Sequence, residues 1–83
     1  MISIKLLGGA MRAVGKDTLE LQQSEAKLVD IIQMLRSISS TDIFNSTNLL
    51  IAVNGVESSV LGGLDARVKD GDVVSVVPVV HGG

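Results

Sequence analysis

A single stretch of helical periodicity lies between segments that alternate with a period of two, and this arrangement limits what the chain can become. From Ser24 to Ile38, the apolar residues Leu28, Ile31, Ile32, Leu35 and Ile38 recur at helical spacing, while Lys27, Asp30, Gln33, Arg36 and Ser37 take the outer positions. The pattern predicts one amphipathic helix, with Ser24 as its N-cap and Glu25 in its first turn. Ser37, Ser39, Ser40 and Thr41 compete with a helix for backbone hydrogen bonds, so the helix is expected to end near Ile38 and pass into a polar loop reaching Asn48.

The flanking segments read as strands. Ile2, Ile4 and Leu6 alternate with Ser3, Lys5 and Leu7 up to Gly8-Gly9, and Thr18–Leu21 alternates again, which suggests a hairpin with an elaborated loop; Ala10–Val14 is too short to classify. Leu49–Val53 is a short, nearly continuous apolar run bounded by Asn54-Gly55, a dipeptide suited to tight hairpin turns, after which Val56–Ser58 can return as a partner strand. Asp70-Gly71 makes a last turn before Val73–Val77, which is rich in β-branched residues. Strands, a helix and then strands, all in one small core, imply an α+β layer with the helix packed across a mixed sheet. The final strand is expected to lie centrally beside the first.

Composition narrows the function. A chain of 83 residues makes one domain and buries roughly 60% of the surface its unfolded form exposes, leaving little room for a deep catalytic cleft. The seven basic residues are scattered, the net charge is −2 and Phe44 is the only aromatic, so neither the clustered cations nor the stacking platforms of a nucleic-acid reader are present. The absence of cysteine excludes a disulfide framework, a thiol nucleophile and a thiolate zinc site. No apolar run reaches spanning length, so no membrane partner is expected, and a cytoplasmic protein is the expectation. Gly8-Gly9 and Gly62-Gly63 read as turns without a nucleotide fingerprint, and Asp65, Asp70 and Asp72 as turn formers.

The segment Leu50-Ile51-Ala52-Val53-Asn54-Gly55, followed by the run from Lys69-Asp70-Gly71-Asp72 through Pro78 to His81-Gly82-Gly83, resembles the second half of the ubiquitin-like β-grasp sulfur carriers and small modifiers. These include the small subunit of molybdopterin synthase, the thiamine sulfur carrier, the ubiquitin-related modifier of tRNA thiolation and the archaeal small modifier proteins. Length and element order agree throughout, and the specific likeness lies in the last third. Pro78 is similar to the molybdopterin branch, but Val79 stands where that branch has a second proline, and Val76 and Val77 where it has aromatics; His81 is closer to the ubiquitin-related modifier. The subfamily stays open.

The resemblance implies a β-grasp of four to five strands over residues 1–78, with one main helix, and a flexible Gly-Gly tail over 79–83. It implies a carrier that is not itself an enzyme, unless it serves as the small subunit of a synthase. Its terminal carboxylate would be adenylated by an activating enzyme, with ATP and magnesium used by that partner and no cofactor bound here. A sulfur donor or acceptor enzyme, or lysines of target proteins, would follow. In this reading Gly83 is the reactive end and Gly82 the clearance residue. Glycine has no Cβ and can approach phosphates closely. Pro78, Val79, Val80 and His81 form the recognition tail, with the β-branched Val79 and Val80 favouring an extended chain. Strand alternation puts Val73 and Val77 on one side, the expected partner surface; by resemblance, Val74 and Val76 point to the core. The competing reading is an interaction module whose chain end is inert.

Overall fold

The architecture is taken from a computed structural model, which describes residues 1–45 and 48–79. Strand β1 (Ile2–Leu6) is followed by a short helix α1 (Gly9–Val14), β2 (Thr18–Leu21), β3 (Glu25–Lys27), the main helix α2 (Leu28–Ile38), β4 (Leu49–Val53), β5 (Val56–Glu57), β6 (Arg67–Lys69) and β7 (Val73–Pro78). Five strands form a mixed sheet in the order β2-β1-β7-β4-β5, and β3 pairs with β6 in a separate ribbon. The last strand is therefore central, parallel to β1 and antiparallel to β4.

Period-two alternation sends Ile2, Ile4 and Leu6 of β1, Ile51 and Val53 of β4, and Val74 and Val76 of β7 to one face of the sheet. There they are buried against Leu28, Ile31, Ile32 and Leu35 of α2. The helix buries the stripe that the sequence predicts, with one exception. Ile38, its last residue, is 48% exposed, because the final turn runs past the edge of the core.

The helix starts later than the sequence suggests. Ser24 does not cap it: Glu25–Lys27 are taken by β3, Lys27 occupies the N-cap position with no side-chain hydrogen bond, and the first helical residue is Leu28. The cap is tertiary, since the Leu28 N–H donates to the Ala66 carbonyl at 3.0 Å, a partner outside the local sequence for a donor that a helix end leaves free.

The stretch that was too short to classify is α1, which lays Ala10 and Ala13 into the core. A Cβ at Gly9 would stand 2.5 Å from Cδ1 of Ile43, so a larger residue there would require the Ile43 side chain to shift. The expected polar loop after α2 also hides structure. A 3-10 turn over Ile43–Asn45 inserts Phe44, which is fully buried, and Arg36 Nε–H donates to its carbonyl at 3.0 Å.

At Asn54-Gly55 both residues have positive φ, 51° and 84°, as a two-residue hairpin turn of the twist-matching kind requires. The Asn54 side chain then ties two turns together. Its Nδ2–H donates to Asp72 Oδ1 at 2.9 Å, and its Oδ1 accepts from the Val73 N–H at 2.9 Å. Asp72 Oδ2 accepts from the Lys69 N–H at 2.8 Å, and the N-terminal ammonium pairs with Asp70. Hydrogen bonds from the Lys69 amide and the Asn54 side chain hold the Asp72 carboxyl below the usual carboxylate range. This clamp closes the end of the sheet where β7 begins.

Candidate functional site: the exit end of the central strand

The other end of β7 is where most of the functional residues are expected from the sequence. Even-numbered residues of β7 face β1 for hydrogen bonding and odd-numbered ones face β4, as shown by Leu7 N–H to Val76 O at 3.1 Å and Asn54 N–H to Val73 O at 2.8 Å. In the parallel ladder, the next donor to the Leu7 carbonyl would be residue 78. That residue is Pro78, which has no N–H, so the β1 side of the ladder stops there. The β4 side runs one step further: Leu49 pairs with Pro78, and the Val79 N–H donates to the Asn48 carbonyl at 2.8 Å. Among the described residues, the end of the strand is therefore bonded on the β4 side.

The face opposite α2 is apolar at this end. Leu50 pairs directly with Val77, and Leu7 extends the register in which Leu6 pairs with Val76. Leu7, Leu50 and Val79 are 47%, 43% and 43% exposed, and Val77 is half-buried. One row further from the exit the same face carries Lys5, Ser75 and Ala52, and beyond it Ser3 beside Val73. The apolar surface is therefore a cluster at the exit and does not extend along the whole strand.

Of the residues singled out from sequence, Val77, Pro78 and Val79 come together here. Val73 lies at the clamp end, with Asn54 and Ser3 as its neighbours. Val80, His81, Gly82 and Gly83 lie outside the described residues. Leu7 and Leu50 were not singled out as surface residues, although each left a trace in the sequence. Leu7 is apolar at a position where the β1 alternation calls for a polar residue, and Leu50 makes the Leu49–Val53 run continuous.

No buried polar or charged side chain and no cluster of three or more metal-ligating residues occurs among the described residues. No helix among them is long and apolar enough to cross a membrane. What the described residues build at this end of β7 is an exposed apolar surface.

A helix grasped by a mixed sheet whose last strand is central defines a ubiquitin-like β-grasp. The chain belongs to the ThiS family, whose profile matches residues 4–83; members of this family are sulfur carrier or modifier proteins rather than catalysts. Three solved structures share the fold. A chain of the Amycolatopsis orientalis BexX/CysO complex is 22% identical over 100% of both chains, with a TM-score of 0.76. Small archaeal modifier protein 1 from Methanosarcina acetivorans is 23% identical, with 99% of this chain and 95% of that one covered and a TM-score of 0.81. A protein from Pyrococcus furiosus described as a putative molybdopterin converting factor, subunit 1, is 26% identical over 95% and 97% of the two chains, with a TM-score of 0.69. No curated protein sequence matches the chain.

Proposed function

We propose that the chain carries an acyl group on Gly83, activated by a partner enzyme and then either converted to a thiocarboxylate or joined to an amine. The observation that carries this reading is the end of the central strand: Pro78 ends one ladder, Val79 makes the last bond of the other among the described residues, and the family match continues through Gly83. A carboxylate is a poor electrophile because its charge repels nucleophiles and its oxygen is a poor leaving group. Attack of the Gly83 carboxylate on the α-phosphorus of ATP expels pyrophosphate and gives an acyl-adenylate, which removes both obstacles. A persulfide sulfur of a partner can then displace AMP, and attack of a second partner thiol on the resulting acyl disulfide releases the thiocarboxylate and leaves a disulfide on the partner. Alternatively, a partner thiol displaces AMP and passes the acyl group to a lysine amine, forming an isopeptide bond.

ATP, magnesium and the sulfur source belong to the partners in this scheme, which suits an ATP-rich, reducing compartment such as the cytoplasm. Leu7, Leu50, Val77 and Val79 are the surface on which the activating enzyme would seat the domain, with Val80 and His81 guiding the glycines inward. That a similar chain occurs in the BexX/CysO complex supports a function exercised with a protein partner. The test is the intact mass of the protein isolated from its native host. The expected result is replacement of one terminal oxygen by sulfur, or a fraction linked to other proteins through Gly83. An unmodified mass with no conjugates contradicts the proposal and leaves the interaction module with an inert end.

A further inference from the structure

The edge of the sheet farthest from β5 presents features that the C-terminal chemistry does not use. Strand β2 is outermost and pairs with β1 alone. The bond from the Leu6 N–H to the Asp17 carbonyl, 2.8 Å, fixes the phase of the ladder. Hydrogen-bonded pairs recur every second residue, at Ile4 with Leu19 and Ile2 with Leu21. The amide and carbonyl groups of Thr18 and Glu20 therefore point away from the sheet. No proline interrupts β2, and none of its residues places a charge on the face toward α2; such devices ordinarily blunt an open edge.

Beside this edge, between β2 and α2, lies a groove of about 180 Å³ lined by Leu21, Gln23, Ala26, Asp30, Ile31 and Met34. That is roughly six times the volume a water molecule occupies in the liquid, enough for an aliphatic side chain. A strand added to β2 would lie about 4.8 Å from it, and its alternate side chains would fall on the face of Leu19 and Leu21, over the groove. The charges around the groove select the occupant. Glu25, in the adjoining strand β3, is paired with Arg67. Asp30, in the first turn of α2, has no ion-pair partner among the described residues.

We propose that the free edge of β2 and this groove form a docking site for an extended apolar segment of a partner protein, carrying a basic residue opposite Asp30. Main-chain bonds to Thr18 and Glu20 supply the pairing, the groove takes an aliphatic side chain, and Asp30 sets the polarity. Strand β1 separates this edge from β7, so the segment binds without covering Leu50, Val77 or the chain exit. The inference stands whether or not Gly83 is activated.

The test is a titration of the isotope-labelled full chain with the peptide Lys-Val-Ile-Val-Ile-Lys, followed by amide chemical shifts and hydrogen exchange. Expected are shifts confined to Thr18–Leu21, Ala26 and the Asp30–Met34 face, with slowed exchange at Thr18 and Glu20. Asp30→Lys, an exposed change that leaves the β7 resonances in place, should weaken binding about tenfold, or about 1.4 kcal/mol. A peptide N-methylated at alternate residues, unable to donate toward β2, should not bind. The proposal is overturned by shifts centred on Leu7 and Leu50, by no shift at about 1 mM peptide, or by equal affinity for Asp30→Lys or the methylated peptide. Concentration-dependent shifts of the same edge without peptide would identify a second copy of the chain as the occupant and also overturn it.

Discussion

The two ends of β7 are built on opposite plans. Where the strand begins, Asn54, Asp72 and the Lys69 and Val73 amides are locked by hydrogen bonds of 2.8–2.9 Å, and the N-terminal ammonium is paired with Asp70. Where it ends, Pro78 terminates one ladder, the Val79 N–H donates to the Asn48 carbonyl, and Leu7, Leu50 and Val79 lie substantially exposed. Polar groups satisfied within the molecule stabilise it and leave little for a partner. Apolar groups left in water do nothing for the isolated domain and become useful only when something covers them. The difference separates the end that maintains the fold from the end proposed to meet other proteins.

That separation breaks first at Asn54. Asn54→Ala removes the side-chain bonds to Asp72 and Val73 and leaves alanine at a φ of 51°. A typical net hydrogen bond contributes about 0.5–1.5 kcal/mol, and a left-handed backbone costs an ordinary residue about 1–2 kcal/mol. Urea unfolding should therefore show a loss of about 2–5 kcal/mol, with the affinity of the folded protein for its activating enzyme unchanged. A weakened affinity at full occupancy of the folded state would tie the clamp to recognition and erase the contrast.

The exit end should behave in the reverse way. Leu50→Thr introduces a β-branched residue that suits a strand and removes apolar surface opposite Val77. Stability is expected to move by no more than about 0.5 kcal/mol, while affinity for the activating enzyme, measured by calorimetry, should fall by about tenfold or more. A loss of stability with intact affinity would make Leu50 a structural residue.

The smallest effect is the dependence of the clamp on pH. The folded state depresses the Asp72 carboxyl, chiefly through the Lys69 amide and the Asn54 side chain. A depressed carboxyl stabilises the fold above its unfolded pKa, and that contribution disappears as pH falls through the folded value. Stability should thus decline below about pH 4, and Asp72→Asn should flatten part of that decline. An identical acid limb in the variant would show that other carboxylates govern it.

What the sequence discloses about this division is uneven, for physical reasons. Leu28, Ile31, Ile32 and Leu35 declare the helix because burial of one face imposes its period, and Asn54-Gly55 declares its turn because few residues accept two positive φ values. Strands β3 and β6 have three residues each and are rich in charge. They exist through each other, by the pairing of Ala26 with Val68 and the Glu25–Arg67 ion pair, across a separation no local pattern records. The same ribbon claims Glu25–Lys27 and displaces the helix start from Ser24 to Leu28. Phe44 is buried by a turn inside a polar stretch, where periodicity gives no signal. At the candidate site, alternation reveals the two sides of β7, but the cluster of Leu7 and Leu50 around Val77 depends on strand order and register.

The most direct test of the central claim is pyrophosphate exchange with the cognate activating enzyme, comparing the full chain with a chain lacking Gly83. One extended residue spans about 3.3–3.6 Å, and a misplacement of 1 Å can cost on the order of a hundredfold in rate. The deletion presents Gly82 one residue short of the nucleotide. The account predicts that exchange is abolished while the urea midpoint stays within about 0.5 kcal/mol of the full chain. Exchange at the full rate by the truncated chain would show that Gly83 is not the reactive end, and would contradict the carrier reading.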